Sequence, residues 1–234
     1  MSIKPIEAYK KLESFFGKQG WWPTTKIGKI TPGYHNKSKQ KVLSGKERFE
    51  ICLGAILTQN TAWKNVEKAI ENLNRKKLID INKIAKIFNK KLALLIRPSG
   101  YYNQKAGRLK DFATWLVKSY DSNIGSFFTK SPQSARNELL SLKGIGPETA
   151  DSMLLYAGNK LTFVVDAYTV RIGQRLGWFK DINYGFIKNF FENNLPESVE
   201  LYKEYHALFV ALGKQHCKKR PNCIKCPLKA YCKN

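Results

Sequence analysis

The sequence predicts an all-α protein, and three observations support this fold class. Residues 104–120 repeat apolar side chains at three- and four-residue spacing, which is the apolar stripe of an amphipathic helix. Strand signals are nearly absent, because the one apolar and β-branched run, residues 161–165, stands alone. Short joints separate the periodic segments, and many helices of about ten residues with short joints are typical of a helical globule.

The same periodicity occurs on both sides of this segment. It predicts further helices over these ranges: 47–57, 62–73, 81–88, 134–141, 147–157, 167–176, 185–193 and 198–213. Residues 23–46 break the pattern, since they hold two prolines and three glycines, and no acid occurs between Glu13 and Glu47. We therefore expect residues 23–46 to form a basic, mobile surface loop.

The charge balance is strongly basic. The 234 residues include 41 Lys and Arg against 18 Asp and Glu, which gives a formal net charge of +23. Such an excess creates a positive field suited to a polyanion, so we expect nucleic acid as the partner. A lysine-rich source organism is the plainer explanation of the same charge.

Membrane and secretion signals are absent from the sequence. The longest apolar runs, such as residues 207–212, are far too short to span a bilayer. The first residues lack the apolar core of a secretion signal. We therefore expect a cytoplasmic protein with no membrane partner, associated with the nucleoid if the source is prokaryotic.

Residues 142–150, LKGIGPETA, predict a tight hairpin between two helices. Gly144 and Gly146 permit backbone conformations that are closed to other residues, and Pro147 suits the first position of the next helix. The exposed amides of such a turn, beside Lys143 and a helix N-terminus, can bind a phosphate oxygen. An ordinary inter-helix turn is the plainer alternative, because a GxG pattern alone is weak evidence.

A single carboxylate, Asp166, follows the apolar run and precedes a helical pattern. Its position alone is explained by an N-cap role, since Asp is a good helix cap. It lies twenty residues after Gly146. A carboxylate near a DNA-binding hairpin would indicate an enzyme rather than a module that only binds DNA. A carboxylate can stabilise positive charge on a sugar and deprotonate water.

Four of the five cysteines are concentrated near the C-terminus, and the fifth, Cys52, fits a core position. Without a secretion signal, metal or cluster ligation is a better explanation of this concentration than disulfides. Four thiolates can hold zinc or a four-iron four-sulfur cluster. Zinc sites usually have two close Cys pairs, whereas only one such pair is present here. The four candidate ligands are Cys217, Cys223, Cys226 and Cys232.

Together these motifs resemble the helix-hairpin-helix (HhH-GPD) DNA glycosylase superfamily over nearly the whole chain. LKGIGPETA resembles the family hairpin, and VVDAYTVR resembles the segment with the catalytic aspartate. ILTQNTAW (56–63) and PSGYYNQKA (98–106) resemble the two DNA-facing loops of the endonuclease III branch, and the four cysteines resemble its iron–sulfur loop. GWWPTT (20–25) is similar to the type III 3-methyladenine glycosylases.

The resemblance implies two α-helical lobes with a cleft that accepts a flipped nucleotide. One lobe is a helical barrel, 43–158, that ends in the hairpin helix. The other combines 1–42 with 159–234 and includes the cluster loop 217–232. The implied partner is double-stranded DNA with a damaged base, bound by a monomer.

The resemblance also implies roles for individual residues. Asp166 is the catalytic acid, and the four cysteines hold a 4Fe–4S cluster. Gln59 and Tyr101 fill the gap in the duplex and wedge the opposite strand. Lys143, Gly144 and Gly146 bind phosphate. Aromatic faces suit a cationic base. The candidate base-pocket residues are the aromatic Trp21, Trp22 and Phe49 and the carboxylate of Glu148, although adjacent tryptophans are equally well explained as a core anchor.

Two departures from the family pattern affect the expected activity. Bifunctional relatives carry a sugar-attacking lysine two residues after the second hairpin glycine, where this chain has Glu148. The first two cluster cysteines are separated by five residues rather than the usual six. We therefore expect a monofunctional glycosylase of base excision repair acting on alkylated purines such as 3-methyladenine. The alternatives are a bifunctional glycosylase and AP lyase for oxidised pyrimidines, and a non-catalytic damage-binding module.

Overall fold

The computed structural model describes residues 2–35 and 42–233. Within these ranges the protein is helical, and the only β contact is an isolated bridge between Thr24 and Gly33. The predicted all-α class is therefore confirmed. Residues 36–41 of the predicted basic loop 23–46 lie outside the described residues, so the mobility of that loop stays a prediction. Its first residues do not lie on the surface, because Thr24 and Thr25 are buried and donate hydrogen bonds to Glu47 and Glu50.

Twelve α-helices lie in the described ranges: α1 (Pro5–Phe16), α2 (Gly45–Thr58), α3 (Trp63–Arg75), α4 (Ile81–Lys86), α5 (Asn89–Leu95), α6 (Tyr102–Tyr120), α7 (Ile124–Phe127), α8 (Pro132–Ser141), α9 (Pro147–Ser152), α10 (Ala167–Leu176), α11 (Tyr184–Asn194) and α12 (Val199–Gln215). A π-helical turn, Met153–Ala157, extends α9, and short 3-10 turns occupy Arg97–Ser99 and Lys229–Tyr231. No helix among these is long and apolar enough to cross a membrane.

Apolar periodicity predicted nine of these helices and missed α1, α5 and α7. The missed helices α5 and α7 have seven and four residues, which is too short to repeat an apolar stripe. Residues 161–165 form no strand. Instead they are an extended segment whose Phe163, Val164 and Val165 side chains are buried, which explains their apolar character without a sheet.

Polar caps fix where many helices begin. Ser44 and Glu47 form a reciprocal capping box at the start of α2, with amide-to-oxygen distances of 3.3 and 3.0 Å. Six further helices begin with a side-chain oxygen that accepts a hydrogen bond from the amide three residues later. These caps are Asp80, Asn123, Ser131, Asp166, Asn183 and Ser198.

Contacts divide the chain into two compact units. The terminal unit contains Met1–Trp21 and Leu161–Asn234, and the central unit contains Trp22–Lys160. The predicted lobes placed residues 22–42 with the chain ends, whereas the central unit defined by these contacts begins at Trp22. The physical reason is the packing of the Trp22 ring against Trp63, at a centroid distance of 5.4 Å.

Helix α2 runs through the core of the central unit. Every residue from Phe49 to Leu57 is buried, as expected for a helix that is apolar on all sides. Trp22 packs against this helix at Gly54, where an added Cβ would lie 2.9 Å from the indole Nε1. A larger residue at position 54 would therefore displace Trp22.

Aromatic side chains form the core of the terminal unit. Phe163 stacks on Phe191 at a centroid distance of 4.4 Å, and Tyr205 lies 4.4 Å from Phe209. The Tyr205 hydroxyl donates to the Pro5 carbonyl at 2.7 Å, so the same cluster holds α1 against α12.

Glu50 is a buried carboxyl group in the central unit. Its Oε1 accepts hydrogen bonds from the Thr25 amide at 3.0 Å and the Thr25 hydroxyl at 2.7 Å. Its Oε2 accepts none from the described residues. Burial outweighs the Thr25 contacts and raises the pKa of Glu50 to about 7.

We expect Glu50→Gln to stabilise the protein above pH 7 and to change little near pH 4. The folded pKa lies above the unfolded one, so the folded state binds more protons between these values and its stability falls as pH rises through that range. Glutamine keeps the Oε1 acceptor and removes the charge, which should raise the free energy of unfolding at pH 8 by about 2 to 3 kcal/mol. Denaturant unfolding at pH 4, 6 and 8 measures this, with the exposed Asp111→Asn as control. Parallel pH profiles for Glu50→Gln and wild type would contradict it.

Candidate active site

Asp166 is the buried N-cap of α10 in the terminal unit. Its Oδ1 accepts from the Thr169 amide at 2.7 Å and the Thr169 hydroxyl at 2.8 Å, while Oδ2 lies 3.6 Å from His206 Nε2. Burial alone would raise the pKa of Asp166, but His206 and Thr169 outweigh it and hold that pKa below its ordinary value. The carboxylate is therefore ionised at neutral pH. The cap and the candidate acid are the same group.

Helix α12 places two basic groups beside Asp166. His206 is buried, and Lys214 lies two turns further along the helix. The Lys214 ammonium lies 5.8 Å from the centroid of the Trp21 ring. Desolvation lowers the pKa of Lys214, and the Asp166 carboxylate opposes this, so the two charges are close enough to interact.

Sequence reasoning missed His206 and Lys214. An i, i+8 spacing places two residues on similar faces of a helix, but the sequence does not show that this face meets Asp166. The terminal unit thus brings Trp21, Lys214, His206 and Asp166 into one environment.

The hairpin of the central unit has the predicted helix-turn-helix form. Helix α8 ends at Ser141, and α9 begins with Pro147. Gly144 has φ +84°, in the region that favours glycine, whereas Gly146 is extended and an added Cβ there would meet nothing within 4 Å. Ile145 is buried and anchors the turn. The turn itself therefore requires only the first glycine.

Gln59 is attached to this hairpin. Its Nε2 donates to the Gly144 carbonyl and to the Thr149 hydroxyl, both at 2.9 Å, and its Oε1 accepts from Arg108. These bonds would have to break for Gln59 to enter a duplex, so its gap-filling role stays a prediction. Tyr101 is 67% exposed and adopts φ +46° directly before α6, so its ring is available to a partner.

The predicted base-pocket residues occupy different environments. Trp21 is half-buried beside Lys214. Trp22 packs against Trp63 and Tyr156 in the central core, which favours the core-anchor explanation for this tryptophan. Phe49 is 1% exposed and stacks on the ring of Phe112, so it also has a core role. Base-contacting roles for these residues stay predictions.

Glu148 is the second residue of α9 and is exposed. An acid in the first turn of a helix interacts favourably with the positive helix end. Lys143, on the other side of the turn, is exposed as well. The hairpin thus presents one cationic and one anionic side chain within six residues.

The four C-terminal cysteines are free thiols that lie near one another. Burial raises the pKa of Cys226 and of Cys232, and charge on the other sulfurs raises both further. Among the described residues, no three His, Cys, Asp or Glu side chains are close enough to hold a single metal ion.

Two arginines of α10 attach this cysteine loop to the helix that begins at Asp166. Arg175 donates to Cys217 Sγ at 3.1 Å and to the carbonyls of Lys218 and Lys219 at 2.8 and 3.0 Å. Arg171 donates to the Cys217 carbonyl at 2.7 Å. The loop and the candidate acid therefore lie at opposite ends of one helix.

Comparison with known proteins agrees with this arrangement. The HhH-GPD superfamily base excision DNA repair protein model matches residues 53–197, more than half of the chain. A Methanocaldococcus jannaschii protein provisionally named a DNA repair glycosylase is 44% identical over 96% of this chain and 93% of its own length. Endonuclease III of Thermotoga maritima is 32% identical over 79% of this chain and 82% of its own length.

Solved structures show the same relationship. The Helicobacter pylori 3-methyladenine DNA glycosylase (MagIII), bound to 1,N6-ethenoadenine, superposes with a TM-score of 0.72 at 30% identity, covering 91% of this chain and 98% of that one. A trapped endonuclease III–DNA covalent intermediate shares the fold, with a TM-score of 0.73 at 19% identity over 99% of this chain and 96% of that one. The chain therefore belongs to the HhH-GPD superfamily of base excision DNA repair proteins and is a DNA N-glycosylase.

Proposed function

We propose that the protein is a monofunctional glycosylase that removes alkylated purines, such as 3-methyladenine, from double-stranded DNA. The observation that carries this proposal is the exposed carboxylate of Glu148 on the first turn of α9, where bifunctional relatives have their sugar-attacking lysine. A carboxylate cannot form the Schiff base that strand cleavage by a lyase requires. The likeness to the Helicobacter pylori 3-methyladenine enzyme supports the substrate class.

The Asp166 carboxylate suits hydrolysis of such a base. As the C1′–N bond breaks, its electron pair leaves with the base, and a cationic alkylated purine leaves as a neutral molecule. Positive charge then develops on the sugar, and the ionised Asp166 stabilises that charge. Water attacks C1′ and transfers its proton to Asp166, which leaves an abasic site and the free base.

Trp21 supports recognition of a cationic base. Its ring already holds the Lys214 ammonium over one face, so the face accommodates positive charge. A cationic purine that stacks on the opposite face of this ring, away from Lys214, would gain the same kind of attraction. A neutral base would gain only the stacking.

The reaction products test this proposal. Purified protein should release free 3-methyladenine from methylated duplex DNA and leave the abasic strand uncut. Borohydride should trap no covalent protein–DNA adduct, because no amine occupies position 148. Release of oxidised pyrimidines together with efficient trapping would overturn the monofunctional assignment.

One observation favours the bifunctional alternative. Lys214 is an amine of lowered pKa close to Asp166, and such an amine can act as a nucleophile. If wild type is trapped and Lys214→Met is not, Lys214 is the nucleophile and the protein is a lyase. Membership of a glycosylase family disfavours the third alternative, a non-catalytic damage-binding module.

We also propose a 4Fe–4S cluster held by Cys217, Cys223, Cys226 and Cys232. Their free, mutually close thiols and the Arg175 donor to Cys217 Sγ support this assignment. When bound, the cluster supplies a rigid crosslink for a lysine-rich loop and no redox step at the base.

The colour of the protein tests the cluster proposal. The purified protein should be yellow-brown with broad absorption at the blue end of the visible range, and Cys226→Ser should bleach it. Cys52→Ser is the matched control, because Cys52 is buried in α2 and lies outside the loop. A colourless wild type containing one zinc ion per chain would contradict the assignment.

A further inference from the structure

Lys105 is a buried ammonium that the proposed reaction does not use. It lies on α6 and is 1% exposed. Its Nζ donates to the Leu57 and Ser99 carbonyls, both at 2.7 Å, and to the Thr61 hydroxyl at 3.2 Å. All three N–H groups of the ammonium are therefore in use.

These three acceptors belong to two separate loops. The first, residues 57–61, runs from Leu57 at the end of α2 to Thr61. The second, residues 99–101, begins at Ser99, the last residue of the 3-10 turn; we call these two segments the probe loops. The Thr61 hydroxyl also donates to the Ser99 carbonyl, so the loops contact each other directly. Lys105 thus lies at the centre of a small buried hydrogen-bond network that joins the two loops.

Each probe loop contains a strained residue. Asn60 has φ +52° and Tyr101 has φ +46°, in the left-handed region that non-glycine residues seldom adopt. Such conformations persist only where the surroundings hold them in place. Lys105 supplies that support. Its acceptors Leu57 and Thr61 flank Asn60, and near Tyr101 its side chain binds the Ser99 carbonyl while its amide donates to the Tyr101 carbonyl at 3.0 Å. Asn60 and Tyr101 are both exposed.

Burying the Lys105 ammonium costs desolvation free energy, which an apolar side chain that only filled this space would not cost. The hydrogen-bond partners of Lys105 are neutral oxygens, and the charged group whose field acts on it within the described residues is Arg108, another cation of α6. Desolvation, followed by Arg108, lowers the pKa of Lys105 to about 8. An apolar side chain would avoid this desolvation cost, whereas an ammonium gives directional, charge-assisted bonds to both loops.

We propose that Lys105 is a positioning residue that locks the probe loops into one rigid surface, which is required to extrude a damaged nucleotide from the duplex. The inference rests on the proposed function and on the roles in the duplex that the family resemblance implies for Gln59 and Tyr101 of these loops. Lys105 touches neither DNA nor the reacting atoms. It acts on how readily the base leaves the stack, before Asp166 acts on the bond.

The test separates extrusion from chemistry. Two oligonucleotide substrates carry one 3-methyladenine, either opposite thymine in a duplex or in a single-base bulge, where extrusion costs little. We expect Lys105→Met to lower single-turnover base release from the paired substrate by about tenfold or more and to leave the bulged rate within about twofold, since unstacking a paired base costs a few kcal/mol. Lys118→Met, an exposed lysine of the same helix, is the matched control.

A pH series provides a second measurement, and its wild-type part does not depend on the variant folding. As pH rises through about 8, Lys105 loses its proton, so the ratio of paired to bulged rates should fall, and Lys105→Met should show no such fall. Equal losses on both substrates, or a ratio that stays flat with pH in the wild type, would overturn the proposal. Failure of the wild type to release the base from either substrate would instead overturn the proposed function.

Discussion

Asp166→Asn should lower the single-turnover rate of base release by about 10³-fold or more, which is the range for loss of a transition-state charge partner. Asparagine is also a good N-cap, so its side-chain oxygen can still accept from the Thr169 amide and hydroxyl. Helix α10 and duplex binding should therefore be unchanged. Chromatography of the released base measures the rate, and fluorescence anisotropy measures binding.

This substitution distinguishes the two roles that the structure gives to one carboxylate. If Asp166 were only a cap, asparagine would replace it and turnover would be close to wild type. His206→Gln provides an independent check, because loss of this neighbour should raise the pKa of Asp166. The acid limb of the pH–rate profile should then move to higher pH, whereas Asp111→Asn should leave it in place.

The helices were largely predictable from the sequence, because long amphipathic segments carry a repeated signal. The environment of Asp166 was not. His206 and Lys214 reach it from α12, and no local pattern shows which elements a helix face will meet. The predicted base pocket shows the same limit: Trp21 and Trp22 are adjacent in sequence, yet one lies beside Lys214 and the other in the core around Trp63.

The two hairpin glycines have different roles in the turn. In sequence they are equivalent, and both were expected to make the turn and admit a phosphate. In the structure Gly144 has φ +84°, and an added Cβ would lie 2.4 Å from Arg108 Nε. Gly146 is extended with φ −93° and ψ 178°, and its Cβ position is open. Residues before a proline favour such extended conformations, so alanine fits there without strain.

Gly144→Ala should therefore destabilise the protein and weaken binding to all duplexes alike. The positive φ costs an L-residue about 1 to 2 kcal/mol. Arg108 could move away from the new methyl group, but this would break its hydrogen bond to Gln59 and loosen the bond from Gln59 to the Gly144 carbonyl. Thermal unfolding measures the first effect, and anisotropy with undamaged and methylated duplexes at several salt concentrations measures the second.

Gly146→Ala tests whether a phosphate approaches the hairpin backbone, without changing the conformation of the turn. Its stability should stay within about 0.5 kcal/mol of wild type, because neither φ nor space opposes alanine. Since the methyl group would lie beside the amides of the hairpin, any loss of duplex affinity reports a phosphate that approaches this backbone closely. A Gly146→Ala protein with wild-type affinity would place the phosphate elsewhere, and a Gly144→Ala protein with wild-type stability would contradict the strained turn.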